Sequence, residues 1–204
     1  ELNPGFAQAH DSYGILLSCL GRAEWARESH LAQELNPLSA VVHLDAGWNA
    51  FVSRQPDEAI AAYRRSIEIE PALGIAHAWL AAAYVQKGRL PDALAEARKA
   101  PVVDDSPLAL ASAGGAMAMA GDSAGARDVI KRLDEVLRTR YVCPYEVGVI
   151  HIWLGEKDEA FRWLEKGYEV RSQCMPATKV DPRLDPIRSD PRYADLIRRL
   201  AFPP

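Results

Sequence analysis

Three histidines, His10, His43 and His77, stand 33 and 34 residues apart, a spacing that invites the idea of a ladder of metal ligands. The ligands of one ion must converge to about 2 Å from it. Residues repeated once per helix pair lie roughly 10 Å apart, the width of a helix, so this register favours packing. His151 sits near Glu146 and Glu156 and could form an acid–base pair. Such chemistry also needs a nucleophile or a stabiliser of developing charge, and the sequence places neither beside it. Gly114-Gly115 is no phosphate loop, because no Lys followed by Ser or Thr comes after it. Cys19, Cys143 and Cys174 lack paired spacing, which argues against a zinc site and against a disulfide framework. Arg188, Arg192, Arg198 and Arg199 alternate with Asp185, Asp190 and Asp195, the pattern of a solvated helix face. The residues therefore predict no catalytic group, no metal ligand and no cofactor.

The elements that would carry these side chains follow from a period. Ala26, Ala59, Ala93, Ala126 and Ala160 fall 33, 34, 33 and 34 residues apart. A period near 34 marks a solenoid of helix pairs, each stacking on its neighbours. Small residues at Gly14, Gly47, Ala81, Gly114 and Gly148 let the helices of a pair approach closely. Gly21, Gly88, Gly121 and Gly155 end the first helices, where a left-handed cap costs glycine least. Arg54 stands in that slot in the second copy, and Gln55-Pro56-Asp57 is expected to make the turn. Pro37 and Pro71 stop the second helices. The fourth copy, with Gly114-Gly115 inside a helix, is the place where the array should bend or yield.

Bulk properties narrow the function. The formal net charge of −4 argues against a nucleic-acid binder. Pro71–Gln86 and Ser106–Gly121 carry no charge but are 16 residues long, short of the roughly 20 that span a bilayer. No membrane insertion is expected. The unpaired thiols make a cytoplasmic location the default, with the periplasm as the alternative for a parent carrying a membrane span. Glu1-Leu2-Asn3-Pro4 recurs as Glu34-Leu35-Asn36-Pro37, which suggests that residues 1–4 are the tail of an earlier repeat and the chain a piece of a longer protein.

The copies resemble the tetratricopeptide repeat. The best reads His77, Leu80-Ala81, Tyr84, Gly88, Ala93 and Ala97, and the array covers residues 5–170, divided near 37, 71, 104 and 139. The resemblance implies an all-α fold, a right-handed α-solenoid superhelix of about five helix pairs. Residues 171–204 would form a linker and a capping helix, Pro191–Leu200, with Asp190 as N-cap and Tyr193, Leu196, Ile197 and Leu200 as its apolar stripe. Tyr141–Tyr145, Leu154–Phe161 and Val180–Tyr193 look like the end of the repeat region in large bacterial signalling proteins. In those proteins the repeats follow a winged-helix, protein kinase or nucleotide cyclase domain.

In this family the first helices line the concave side, where peptides lie. Val41, Leu44, Trp48 and Phe51 in the second copy, Ile75, Trp79 and Val85 in the third and Tyr145 in the fifth are the expected partner-binding residues. Only Asp11, Asp45 and Glu146 bring charge to that face, and Asn49 and Lys87 are too few to clamp two carboxylates. The expected role is a non-catalytic interaction module for an apolar or amphipathic peptide or helix. Self-association, as a homodimer or through a groove filled by the chain itself, is the alternative.

Overall fold

The computed structural model describes residues 5–201, so the tetrapeptide at residues 1–4 lies outside the described part. Ten helices form five antiparallel pairs: α1 (Ala7–Cys19) with α2 (Trp25–Leu35), α3 (Ala40–Val52) with α4 (Pro56–Ile69), α5 (Gly74–Gln86) with α6 (Leu90–Val103), α7 (Pro107–Met119) with α8 (Ser123–Val136), and α9 (Pro144–Trp153) with α10 (Lys157–Glu169). The first helices α1, α3, α5, α7 and α9 lie side by side, and α2, α4 and α6 each reach the next pair's first helix. This is an all-α solenoid. Among the described residues no helix is long and apolar enough to cross a membrane.

Each turn can be derived from its residues. Gly21, Gly88, Gly121 and Gly155 adopt φ of 69°, 70°, 87° and 78° after the first helices, the left-handed cap that favours glycine. Arg54 takes the same conformation at φ 60°, so the non-glycine residue itself makes the strained turn. Ser39, Ser106 and Asp122 cap α3, α7 and α8 by accepting from backbone N–H groups two or three residues inside the helix.

The alanine ladder is real but begins one residue earlier. Ala59, Ala93, Ala126 and Ala160 are fully buried, whereas Ala26 is exposed and Trp25 is buried. The buried set of α2, Trp25, Ser29 and Ala32, repeats the spacing of Ala59, Tyr63 and Ser66 in α4. Trp25 therefore occupies the ladder position, and Ala26 faces solvent.

The fourth pair departs from the stacking rule. Helix α9 leans on α7, and α8 makes little contact with α9 among the described residues. A Cβ at Gly114 would meet Val129 at 2.6 Å and Ile150 at 2.9 Å, and one at Gly115 would meet Val149 at 3.3 Å. Helix α7 stays unbroken through both glycines. Their role is to leave room on the α7 backbone for side chains of α8 and α9.

Beyond α10 the chain turns back. Two 3₁₀ turns, Met175–Lys179 and Pro182–Ile187, cross the inner face of the first helices, touching α1 and α9. Helix α11 (Pro191–Leu200) then packs on α10, with Tyr193 and Leu196 joining Phe161, Leu164, Leu184 and Ile187 in one apolar cluster. Asp190 caps it by accepting from the Arg192 N–H.

Candidate functional site

The first helices place their inner residues by register. One slot recurs as Ser12, Asp45, Trp79, Ser112 and Glu146, and four of these five line a single cavity of about 550 Å³ (Ser112 instead donates to Glu146). Leu44, Trp48 and Ile75 stand beside them on the same wall. Trp48 and Trp79 meet edge to face with ring centroids 4.7 Å apart, and Phe51 backs both at 6.2 and 5.5 Å. Such contacts fix the indoles in one orientation.

The eight residues expected to touch a partner thus divide. Leu44, Trp48, Ile75 and Trp79 come together on the cavity wall. Val85 lines a separate hollow of about 380 Å³ with Arg54, Met119 and Trp153. Val41 is half-exposed and lines neither. Phe51 is fully buried, and the Tyr145 side chain is 1% exposed with its hydroxyl donating to Asp181 at 2.8 Å. Phe51 holds the wall from behind; Tyr145 borders the cavity with Leu44, Trp48, Ile75 and Trp79 but is bound into the fold through its hydroxyl.

The residues that sequence reasoning missed lie in the returning strap. Arg183 sits 4.1 Å above the Trp79 ring centre and 5.9 Å and 5.8 Å from those of Trp48 and Tyr145. Its guanidinium donates to both oxygens of Glu146, at 2.8 and 2.9 Å, and to Asp181 at 2.8 Å. Burial opposes the charge of Arg183, but Asp181 and Glu146 more than offset it and hold its pKa well above the ordinary value. The Trp153 Nε1–H donates to the Arg183 carbonyl at 2.8 Å, and Arg54 donates to both oxygens of Asp185 at 2.7 and 2.8 Å. Arg54 thus joins its strained turn to the strap. Two of the three acids noted as the groove's only charges, Asp45 and Glu146, line this cavity, and Glu146 receives the strap.

Asp11 and Asp45 form the other polar feature. Burial, then the charge of Asp11 and a hydrogen bond between the two carboxyls, push Asp45 up to about 8. Burial also raises Asp11, against the hydrogen bond from Asp45. Asp11 Oδ1 is buried with no hydrogen-bond partner among the described residues. A desolvated acid pair of this kind keeps a shared proton near neutral pH.

The histidines pin helices together. His10 Nδ1 lies 2.6 Å from Glu28, and His77 Nδ1 lies 2.6 Å from Glu96, joining first to second helices. His43 and His77 also meet the carbonyls of Pro37 and Pro71. The Glu96 hydrogen bond raises the pKa of His77, and the same bond lowers that of Glu96. His151 pairs with Glu156 at 2.7 Å. Among the described residues no group of three His, Cys, Asp or Glu is placed to hold a metal ion. The cysteines are not all isolated: Cys143 and Cys174 lie side by side where the start of the strap meets the start of α9, their Cα atoms 7.2 Å apart, while Cys19 is buried. Their separation of 31 residues carries no local signal, since only the fold brings them together.

No family model matches the chain, and no curated protein matches it significantly. Among solved structures it is similar to a chain of the APC/C hetero-tetramer Cut9–Hcn1, with a TM-score of 0.60 and 15% identity. That match covers 98% of this chain and 43% of the other, so the chain spans under half the length of that neighbour. The fold is of the tetratricopeptide kind. YrrB, described as a TPR protein with an unusual peptide-binding site, is also similar, with a TM-score of 0.49, 20% identity and coverage of 87% and 92%. One signal in the sequence could have revealed the strap: Asp181-Pro182-Arg183 places a lone cation between helix-stopping residues, opposite a groove with three acids and no base.

Proposed function

We propose that this chain is a non-catalytic interaction module whose concave, aromatic groove takes an apolar or amphipathic peptide or helix. The observation that carries the reading is the paired indoles of Trp48 and Trp79 on a cavity wall whose lining is apolar apart from Ser12, Asp45, Glu146, Gln173 and Arg183. Large aromatic side chains held rigidly in a hollow are the favoured anchors of protein contacts. The strap occupies part of the same face, so a partner would share the groove with it or displace it. We further read the chain as the regulatory part of a larger bacterial protein, in line with its terminal motifs.

The test is selection of displayed peptides on the intact chain. Peptides that lose at least about tenfold in affinity for the Trp48→Ala/Trp79→Ala variant, with its helical circular dichroism unchanged, support the groove. Equal binding to both proteins sinks it. The cytoplasmic location is retained as a proposal, and alkylation of thiols in intact cells checks it. Free Cys143 and Cys174 support the cytoplasm, whereas an oxidised pair indicates an oxidising compartment.

A second reading, self-association, draws on the outer face of the first pair. Phe6, Tyr13 and Leu16 there are 52%, 41% and 52% exposed, apolar side chains that pairing would cover; Leu16 also lines the cavity, and Phe6 and Tyr13 do not. Light scattering over a concentration series, repeated with Tyr13→Glu, separates this reading from a monomer.

A further inference from the structure

We propose that the cavity between the first helices and the strap is a binding site for an organic monocation with an apolar body, its ammonium group held by Asp45. The inference deepens the groove reading above by naming the chemistry of the ligand. It begins from volume: about 550 Å³ lies within the range of small-molecule sites. Leu16, Leu44, Ile75 and Trp48 supply apolar walls for the body of such a ligand.

Charge then decides its sign. Four carboxylates, Asp11, Asp45, Glu146 and Asp181, gather around the cavity, and Arg183 is the cationic side chain on its lining. Glu146 and Asp181 are committed to Arg183, with further bonds from Ser112 to Glu146 and from Tyr145 to Asp181. The Asp11–Asp45 pair has no cationic partner among these contacts. Asp45 lines the cavity and Asp11 does not; Asp11 Oδ1 is buried with no hydrogen-bond partner among the described residues.

The strap supplies an internal precedent. Its guanidinium already rests on the Trp79 face at 4.1 Å between two carboxylates, so the groove has shown the chemistry of a cation among indoles and acids. The open share of the cavity repeats that arrangement with Trp48 as the ring and Asp45 as the acid. An alkylammonium ion fits it: one charge for one carboxyl pair, and a chain for the aliphatic wall.

Isothermal titration of the intact chain with three probes of one shape tests the proposal: hexylammonium, 1-hexanol and hexanoate, at pH 9, where Asp45 is ionised and the amine still carries its charge. Hexylammonium should bind at least about tenfold tighter than hexanol and hexanoate should not bind measurably. Asp45→Asn should bring the amine down to the level of the alcohol, and the indole N–H resonance of Trp48 should shift only with bound amine or alcohol. Hexanol binding as well as the amine overturns the proposal, as does an amine affinity within about twofold of the parent in Asp45→Asn. If Asp45→Asn fails to fold, Leu44→Glu serves instead: an added acid on the same wall should tighten the amine and expel hexanol, and no change in either again overturns the site. Peptide selection is scored on Trp48→Ala/Trp79→Ala and the amine on Asp45→Asn, so peptides that need the indoles but not Asp45 leave the groove reading standing when this one falls.

Discussion

The first helices have two working faces, and they differ in kind. Toward the second helices the recurring residue is Gly14, Gly47, Ala81, Gly114 or Gly148; toward the groove the slot two positions earlier is Ser12, Asp45, Trp79, Ser112 or Glu146. The first set is uniformly small because side chains of the second helices press on the first-helix backbone there: a Cβ at Gly47 would lie 2.5 Å from the Tyr63 ring, and one at Gly148 3.3 Å from Leu164. The second set ranges from a hydroxyl to an indole to a carboxylate, because each of these side chains faces the cavity or the strap. The repeat holds the scaffold constant and lets the groove vary. Chemistry specific to this chain is therefore concentrated in one column of residues and in the segment that lies against it.

The largest expected effect lies where strap and column meet. Arg183→Ala leaves Glu146 and Asp181 buried without their cation, a loss of about 3–5 kcal/mol. Thermal unfolding should register it, and hydrogen exchange should accelerate in residues 172–188 before it does in α3 and α4. Protection that falls evenly along the chain would mean that the strap is no separate layer.

Next comes the packing face. Gly47→Ala drives a methyl group into the Tyr63 ring and should cost about 2 kcal/mol in chemical denaturation, a typical penalty for overpacking. Ser12→Ala in the exposed groove slot should change stability by less than about 0.5 kcal/mol. Comparable losses at the two sites would break the contrast between the faces.

The acid pair gives a pH-dependent test. Asp45 titrates near 8 in the folded chain against 3.8 as its ordinary value. Between those values the unfolded chain releases a proton that the folded chain keeps, so stability falls as pH rises from about 4 to about 8. Asp45→Asn should flatten this slope and gain about 2 kcal/mol at pH 8, a figure discounted for partial exposure of the group. Urea melts at pH 5 and pH 8 check the sign, and a gain larger at pH 5 would contradict it.

The smallest effect is at Arg54. Arg54→Gly relieves a left-handed non-glycine residue, worth about 1 kcal/mol, but removes the bidentate contact with Asp185. Unfolding should show little net change while exchange near Asp185 speeds up. An unaltered strap would mean that this exposed ion pair contributes nothing.

Much of the scaffold was legible because helix pairs are local. The buried alanines, the glycine turns and the Asp190 cap follow from residues within one repeat of each other, and the structure places them accordingly. Trp25 escaped because alanine spacing was a proxy for burial: the step from the left-handed Gly21 to the ladder position is one residue shorter than from Gly88, Gly121 or Gly155, and the larger Trp25 entered the position. That Trp48 and Trp79 lie on the groove side of their helices was readable from helical spacing, whereas their contact with each other and the burial of Phe51 and Tyr145 were not. Spacing locates a face but cannot say what lies on top of it.

The sequence by itself determined the period, the two faces of each first helix and the scarcity of charge in the groove, since each depends on contacts between residues at most one repeat apart. Only the tertiary structure decided that residues 172–188 return across that groove, that Arg183 reaches Glu146 across 37 residues, and that Cys174 meets Cys143. The physical reason is that a 3₁₀ strap has no period of its own. Its course is set by one buried guanidinium seeking a carboxylate and two indoles that three separate helices, α9, α3 and α5, bring together.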